Sequence, residues 1–252
     1  MRLNESTAVS TARALLVPYE ARHVLTYHGW MQDPAILEAT ASDRLTLEEE
    51  YENQQSWRSS HDKLTFIICQ PLSSPATAER VQAGVADAPD RMIGDVNLFL
   101  YPHEEDFAED GDEMPSKVGE ERVDCVGEVD IMIADQEHRG KGLGRAVVQA
   151  FLQYIWRHAD DITDEYALDK GLIGRPKLRH LMAKIGQQNV RSVALFKSLG
   201  FEQVGEVNYF GEVTLVLRDL GEFATKEVPE AYKELTYQRD EETQNGQPGE
   251  QQ

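Results

Sequence analysis

Residues 125 to 159 read CVGEVDIMIADQEHRGKGLGRAVVQAFLQYIWRHA. They join a β-type run to a helix-type run through a turn with glycine at positions 140, 142 and 144. The first part is β-branched and alternating, and the second repeats its apolar residues at helical spacing. A strand delivered into a helix by so short a turn puts the helix N-terminus at the strand's end. Glycines there let backbone amides approach a ligand without a Cβ in the way. Amides without carbonyl partners, at the positive end of a helix dipole, form a natural phosphate site.

The rest of the chain alternates in the same way. Strands are expected at residues 14 to 18, 64 to 69, 92 to 101, 125 to 134 and 177 to 185, with a hairpin from 201 to 220. Helices are expected at 20 to 31, from a Thr46 N-cap with Glu49 in a capping box, from 142, and from Asn189 to Gly200. Interleaving of this kind predicts an α/β (α+β) fold, a mixed central sheet flanked by helices. One domain covers residues 12 to 220. An acidic insertion at 102–122 carries nine acidic side chains against two basic ones, and a second insertion spans 158–177. Residues 221–252 read as a polar tail, disordered over its last dozen residues.

A net charge of −20 over 252 residues excludes a nucleic-acid binder and suits cationic partners such as basic peptides or amines. Solubility alone explains the charge equally well. Cys69 and Cys125 are unclustered, so neither a disulfide framework nor a metal knuckle is expected, and the seven histidines show no metal-ligand spacing. Neither a signal peptide nor a membrane span is legible, which predicts a cytoplasmic or nuclear protein without membrane association. Oligomeric state is not legible.

Three glycine-rich templates compete at residues 139 to 144. A Walker loop requires Ser or Thr after Gly-Lys, and Gly142 stands there. A dinucleotide fingerprint requires G-x-G-x-x-G at the first βα junction, and the spacing here is G-x-G-x-G after several earlier elements. Arg139-Gly140-Lys141-Gly142-Leu143-Gly144 matches R-x-x-G-x-G, and NVRSVALFKSLGF (189 to 201) is an asparagine-opened helix ending in Leu-Gly-Phe. Together these resemble the GCN5-related N-acetyltransferase (GNAT) superfamily. MRLNESTA, LTLEEEYENQQSW, IGDVNLFL and AKIGQQN narrow the resemblance to the N-acetyltransferase 9-like proteins, which are related to ribosomal-protein alanine acetyltransferases. It spans residues 1 to 217, apart from the insertions.

That resemblance implies a GNAT fold with splayed strands and acetyl transfer from acetyl-CoA, as cosubstrate and without metal, to a protein or peptide amine. The amides of residues 140 to 144 would hold the pyrophosphate, and Arg139 and Lys141 would lie along the outer phosphates. Amides of Met132, Ile133 and Ala134 would pair with the pantetheine arm, one of them polarising the thioester. Asn189 would orient that arm or simply cap its helix. Glu128 and Asp130 project from one strand face, so either accepts the amine's proton or both are solvated carboxylates. Glu128 is the first choice of the two. Phe196 stands at a cofactor-side position where many members carry a proton-donating tyrosine, and it has no proton to give. This gap, with the acidic insertion and the tail, favours the alternative of an acetyl-CoA-binding scaffold with little turnover.

Overall fold

A computed structural model describes residues 1–75, 77–103, 124–172 and 174–239. The acidic insertion, apart from its first two residues, and the last residues of the tail lie outside the described residues. Ten strands form one sheet: β1 (Thr7–Ser10), β2 (Leu15–Pro18), β3 (Lys63–Cys69), β4 (Arg80–Gln82), β5 (Met92–Pro102), β6 (Cys125–Ile133), β7 (Leu178–Gly186), β8 (Glu202–Val204), β9 (Glu212–Leu217) and β10 (Lys233–Gln238). The spatial order is β4-β10-β1-β2-β3-β5-β6-β7-β9-β8. Pairing is antiparallel except at β4/β10 and β6/β7, which are parallel. The helices are α1 (Val24–Trp30), α2 (Pro34–Ala39), α3 (Leu47–Ser59), α4 (Leu143–Arg157), α5 (Ala159–Lys170), α6 (Val190–Ser198) and α7 (Leu220–Lys226).

Alternation along the central strands separates two cores, because successive side chains point to opposite faces. Leu16, Phe66, Ile68, Val96, Leu98 and Val129 pack with Val147, Phe151 and Tyr154 of α4. Leu15, Val17, Ile67, Met92 and Met132 face the other way, toward Val24 and Tyr27 of α1 and Ile36 of α2. The α3 capping box forms as the sequence predicts: Thr46 Oγ1 accepts from the Glu49 N–H at 3.3 Å, and Glu49 Oε2 accepts from the Thr46 N–H at 2.8 Å.

Three boundaries differ from the sequence reading. The folded unit begins before residue 12, since β1 pairs with both β2 and β10 and buries Ala8 and Val9. It also continues past 220. Within KELTYQ only Leu235 and Tyr237 point inward, so a polar-looking segment supplies a sheet strand. The second insertion, 158–177, is largely α5, which buries Ile162, Thr163, Tyr166 and Ala167. Its acidic first turn and Lys170 in its last turn complement the helix dipole.

Candidate active site

β6 and β7 are paired only at their beginnings. Their parallel ladder runs Cys125↔Leu178, Gly127↔Leu181, Glu128↔Met182 and stops there, among the described residues. Beyond it β6 stays with β5 as far as Gly94↔Ile133, while β7 stays with β9 as far as Gly186↔Glu212. The two strands part, leaving a gap that no β6/β7 backbone pairing bridges. Gly94 lets β5 press close against β6 here, since a Cβ on it would lie 1.9 Å from the Met132 carbonyl oxygen.

The amides at this edge are not the three successive ones expected. Ala134 N–H donates to Ile93 O at 2.9 Å. Alternate residues of an antiparallel strand present their N–H groups to the same neighbour, so Met132 also faces β5. Ile131 and Ile133 turn theirs toward the gap. The Met132 and Ala134 amides are therefore spent on β5, a correction to the three successive donors expected, while that of Ile133 faces the gap.

At the end of β6 a 3-10 turn, Gln136–His138, leads into the glycines. Gly140 and Gly142 have φ of 72° and 75°, values that disfavour any residue with a Cβ, and Gly142 is the N-cap of α4. No described backbone carbonyl accepts from the amides of residues 140 to 145, the pattern of an open helix N-terminus. Arg139 is less free than expected. Its Nε donates to Ile133 O at 2.7 Å and its Nη2 to Ala134 O at 3.2 Å, fastening the turn to the strand it leaves. Lys141 is exposed. His138 is held by Asp135, Nδ1 to Oδ2 at 2.7 Å. Arg13 is a residue the sequence reading missed: its Nη2 donates to Lys141 O, and its Nη1 is 3.4 Å from where a Cβ on Gly142 would stand. Nothing local in the sequence could have found it, because the β1–β2 turn brings it from 128 positions away.

On the α1 face, β6 presents Glu128 and Asp130 together, as alternation predicts. Glu128 Oε2 accepts from Lys184 Nζ at 2.9 Å. Asp130 is half-buried opposite Asn97. Burial, then the nearby Glu128 and Asp95 charges, push its carboxyl up to about 7 against the opposing pull of Lys184. Asp95, two residues along β5 from Asn97, is 2% exposed, and burial pushes it up to about 7 as well. Tyr19 and Tyr27 lie close by, and their hydroxyls are raised by burial and by Glu50 and Asp95.

Asn189 caps α6, its Oδ1 accepting from the Ser192 N–H at 3.3 Å, which leaves its amide NH2 for other partners. Phe196 is 2% exposed and stands edge-to-face with Phe201 at 5.0 Å. That ring belongs to the core beneath α6. Among the described residues no cluster of three metal-ligating side chains occurs.

Comparison with known proteins agrees with this geometry. A family model described as acetyltransferase (GNAT) domain matches residues 13–202. An N-acetyltransferase 9-like protein of Schizosaccharomyces pombe is 37% identical over 227 residues, covering 86% of this chain and 98% of the relative. The human alpha/beta-tubulin-N-acetyltransferase 9 is 37% identical over 219 residues, covering 86% of each. The structure of spermidine N-acetyltransferase from Vibrio cholerae, in complex with CoA and spermine, superposes with a TM-score of 0.53. It is 15% identical and covers 85% of this chain and 99% of that one, a likeness of fold. A domain model matched across most of the chain, relatives above 30% identity, and a parted β6/β7 pair over a glycine-built helix N-terminus place this chain in the GNAT acetyltransferase family, the acetyl-CoA-dependent acyltransferases.

Proposed function

We propose that this protein transfers acetyl from acetyl-CoA to the α-amine of a protein N-terminus, in a ternary complex and without a covalent enzyme intermediate. The observation that carries the reading is the position of Asp130, a half-buried carboxyl on β6 just beyond the last β6/β7 pair, at the edge of the gap, where burial pushes it up to about 7. The amides of residues 140 to 145, with Lys141 and Arg13 beside them, hold the diphosphate. The Ile133 amide meets the pantetheine arm, and Asn189 Nδ2 reaches it from α6. An amide facing the thioester oxygen stabilises the charge that develops there.

Asp130 rather than Glu128 is the base, because Lys184 already neutralises Glu128. An α-ammonium with pKa of about 8 gives its proton to a carboxyl raised to about 7 at a small cost. A lysine at about 10.4 holds its proton far more tightly, which favours the N-terminal amine. Relatives named for α/β-tubulin support a protein acceptor, and tubulin chains are the first to try. The acceptor face carries Glu50, Asp95, Glu128 and Asp130, in keeping with a cationic substrate.

The test is thiol release from acetyl-CoA with N-terminal peptides, lysine peptides and spermidine in parallel. Sustained release with the N-terminal peptides supports the proposal. Tight acetyl-CoA binding with no release from any amine supports the scaffold alternative.

A further inference from the structure

Three buried oxygens on the acceptor face have no hydrogen-bond partner among the described residues: Asp95 Oδ1, Asn97 Oδ1 and Thr65 Oγ1. Their residues are 2%, 6% and 8% exposed. Thr65 stands opposite Asn97 and Asn97 opposite Asp130, so the row crosses three adjacent strands. Asp95 is two residues along β5, hence on the same face. The orientation of Asn97 is fixed chemically. Its NH2 donates to Asp95 Oδ2 at 2.6 Å, and with Asp95 ionised, the form that receives a cation, the carboxylate only accepts and the amide oxygen faces away.

Buried oxygens left without partners destabilise a fold; the Thr65 hydroxyl also donates, but the Asp95 carboxylate and the Asn97 amide oxygen only accept, so the row calls for a donor-rich visitor. A hydroxyl brings one donor and a water two, each with lone pairs of its own. An alkylammonium brings three donors and no acceptor. We propose that Asp95, with Asn97 and Thr65, forms the seat that receives the acceptor's ammonium group beside Asp130, and so selects for a cationic amine. The inference rests on the acetyl-transfer reading above and adds the residues that choose the substrate.

From that seat one N–H proton moves to the Asp130 carboxylate. The freed lone pair forms the N–C bond to the acetyl carbon. The C–S bond then breaks with its electron pair on sulfur, and a second proton from the nitrogen completes the thiol. Asp130 returns its proton to water, so charge and atoms balance without a tyrosine donor. Charged and titratable groups around the seat are Tyr19, Tyr27 and Glu50 from the α1–α3 side, Glu128 and Asp130 on β6, Lys184 on β7 and Glu212 on β9. Two carboxyls held near 7 agree with a seat that is filled by a cation only when substrate arrives.

The test uses the full chain with CoA bound and a C-terminally labelled, lysine-free hexapeptide, with its α-amine free or acetylated. Binding is read by fluorescence anisotropy and turnover by thiol release. For Asp95→Asn, nearly isosteric, we expect peptide affinity and acceptor KM to worsen roughly tenfold or more. Acetyl-CoA affinity should stay within about twofold. Thr65→Val should worsen both in the same direction by about threefold, and the acetylated peptide should bind wild type as weakly as the free peptide binds Asp95→Asn. An Asp95→Asn protein that melts differently yet keeps wild-type peptide affinity and KM overturns the seat and leaves the acetyl-transfer reading standing. Amine-dependent peptide binding that needs Asp95, without thiol release, upholds the seat and overturns acetyl transfer.

Discussion

In the proposed reaction Asp130 is the residue on which the chemistry turns, and its neighbours make it adjustable. Asp130→Asn should lower kcat/KM by about 10²–10³ and abolish the ionisation near pH 7 in its pH profile. Lys184 opposes the upward shift of Asp130, so Lys184→Met should move that acid limb to higher pH in the same kinetic titration. Asp95 gives a stability prediction of definite sign. Its folded pKa lies above the ordinary carboxylate value, so the native state keeps a proton that the unfolded chain releases, and stability falls as pH rises from about 4 to 7. Asp95→Asn should therefore leave melting unchanged at pH 4 and raise it by several degrees at pH 8. The pairing of Glu128 with Asp130 was legible in the sequence because alternation on a strand is a local rule. Arg13, Thr65 and Asp95 were not, because each reaches the site through strand pairing that no local pattern encodes.

At the scale of elements, the glycine turn and α4 were readable because the turn chemistry, the change of period and the cap coincide within a few residues. The same holds for α3 and its capping box. β1 and β10 were missed for a common reason: each is short, and in KELTYQ polar residues on the open face dilute the inward Leu235 and Tyr237. The amide pattern of β6 was misjudged because it depends on which strand each N–H faces, and that is set by pairing with β5. The β8–β9 turn makes a separate prediction. Asn208 ties it by accepting from the N–H groups of Phe210 and Glu212 at 3.0 and 2.9 Å, yet Tyr209 and Phe210 are 97% and 82% exposed. Under the proposed protein-acceptor reading, a turn fixed this firmly around two exposed rings, on the strand paired to β7, suits contact with that acceptor. The double variant Tyr209→Ala/Phe210→Ala should raise peptide KM by about tenfold and leave acetyl-CoA affinity unchanged in steady-state kinetics.

The whole molecule is closed by its C-terminal strand. β10 bridges β1 and β4, and from it the Tyr237 hydroxyl donates to Asp87 Oδ2. His23 shares that oxygen through Nε2 at 2.9 Å, and its Nδ1 accepts from the Glu20 N–H at 3.0 Å, which directs the Nε2 proton at Asp87. Burial would push the Asp87 carboxyl up, but hydrogen bonds from His23, Tyr237 and the Gly84 N–H outweigh it and hold it below the usual range. Its contribution is thus present above about pH 4 and lost as pH falls through its folded value. Asp87→Asn should cost about 1.5–3 kcal/mol at pH 7 in denaturant unfolding and flatten the acid limb of the stability curve. Ending the chain at residue 226 should expose the edge of β1 and yield aggregates in size-exclusion chromatography, because an uncovered strand edge invites pairing between chains.

The central claim is that bare backbone amides at the start of α4 grip the diphosphate of acetyl-CoA. Calorimetric titration of acetyl-CoA into wild type and Gly142→Glu tests it most directly, with melting curves to establish that both are folded. The account predicts one site per chain in wild type and an affinity weaker by about 100-fold or more in the variant, whose side chain would stand in the anion's place with like charge. Equal affinity in two folded proteins would contradict it.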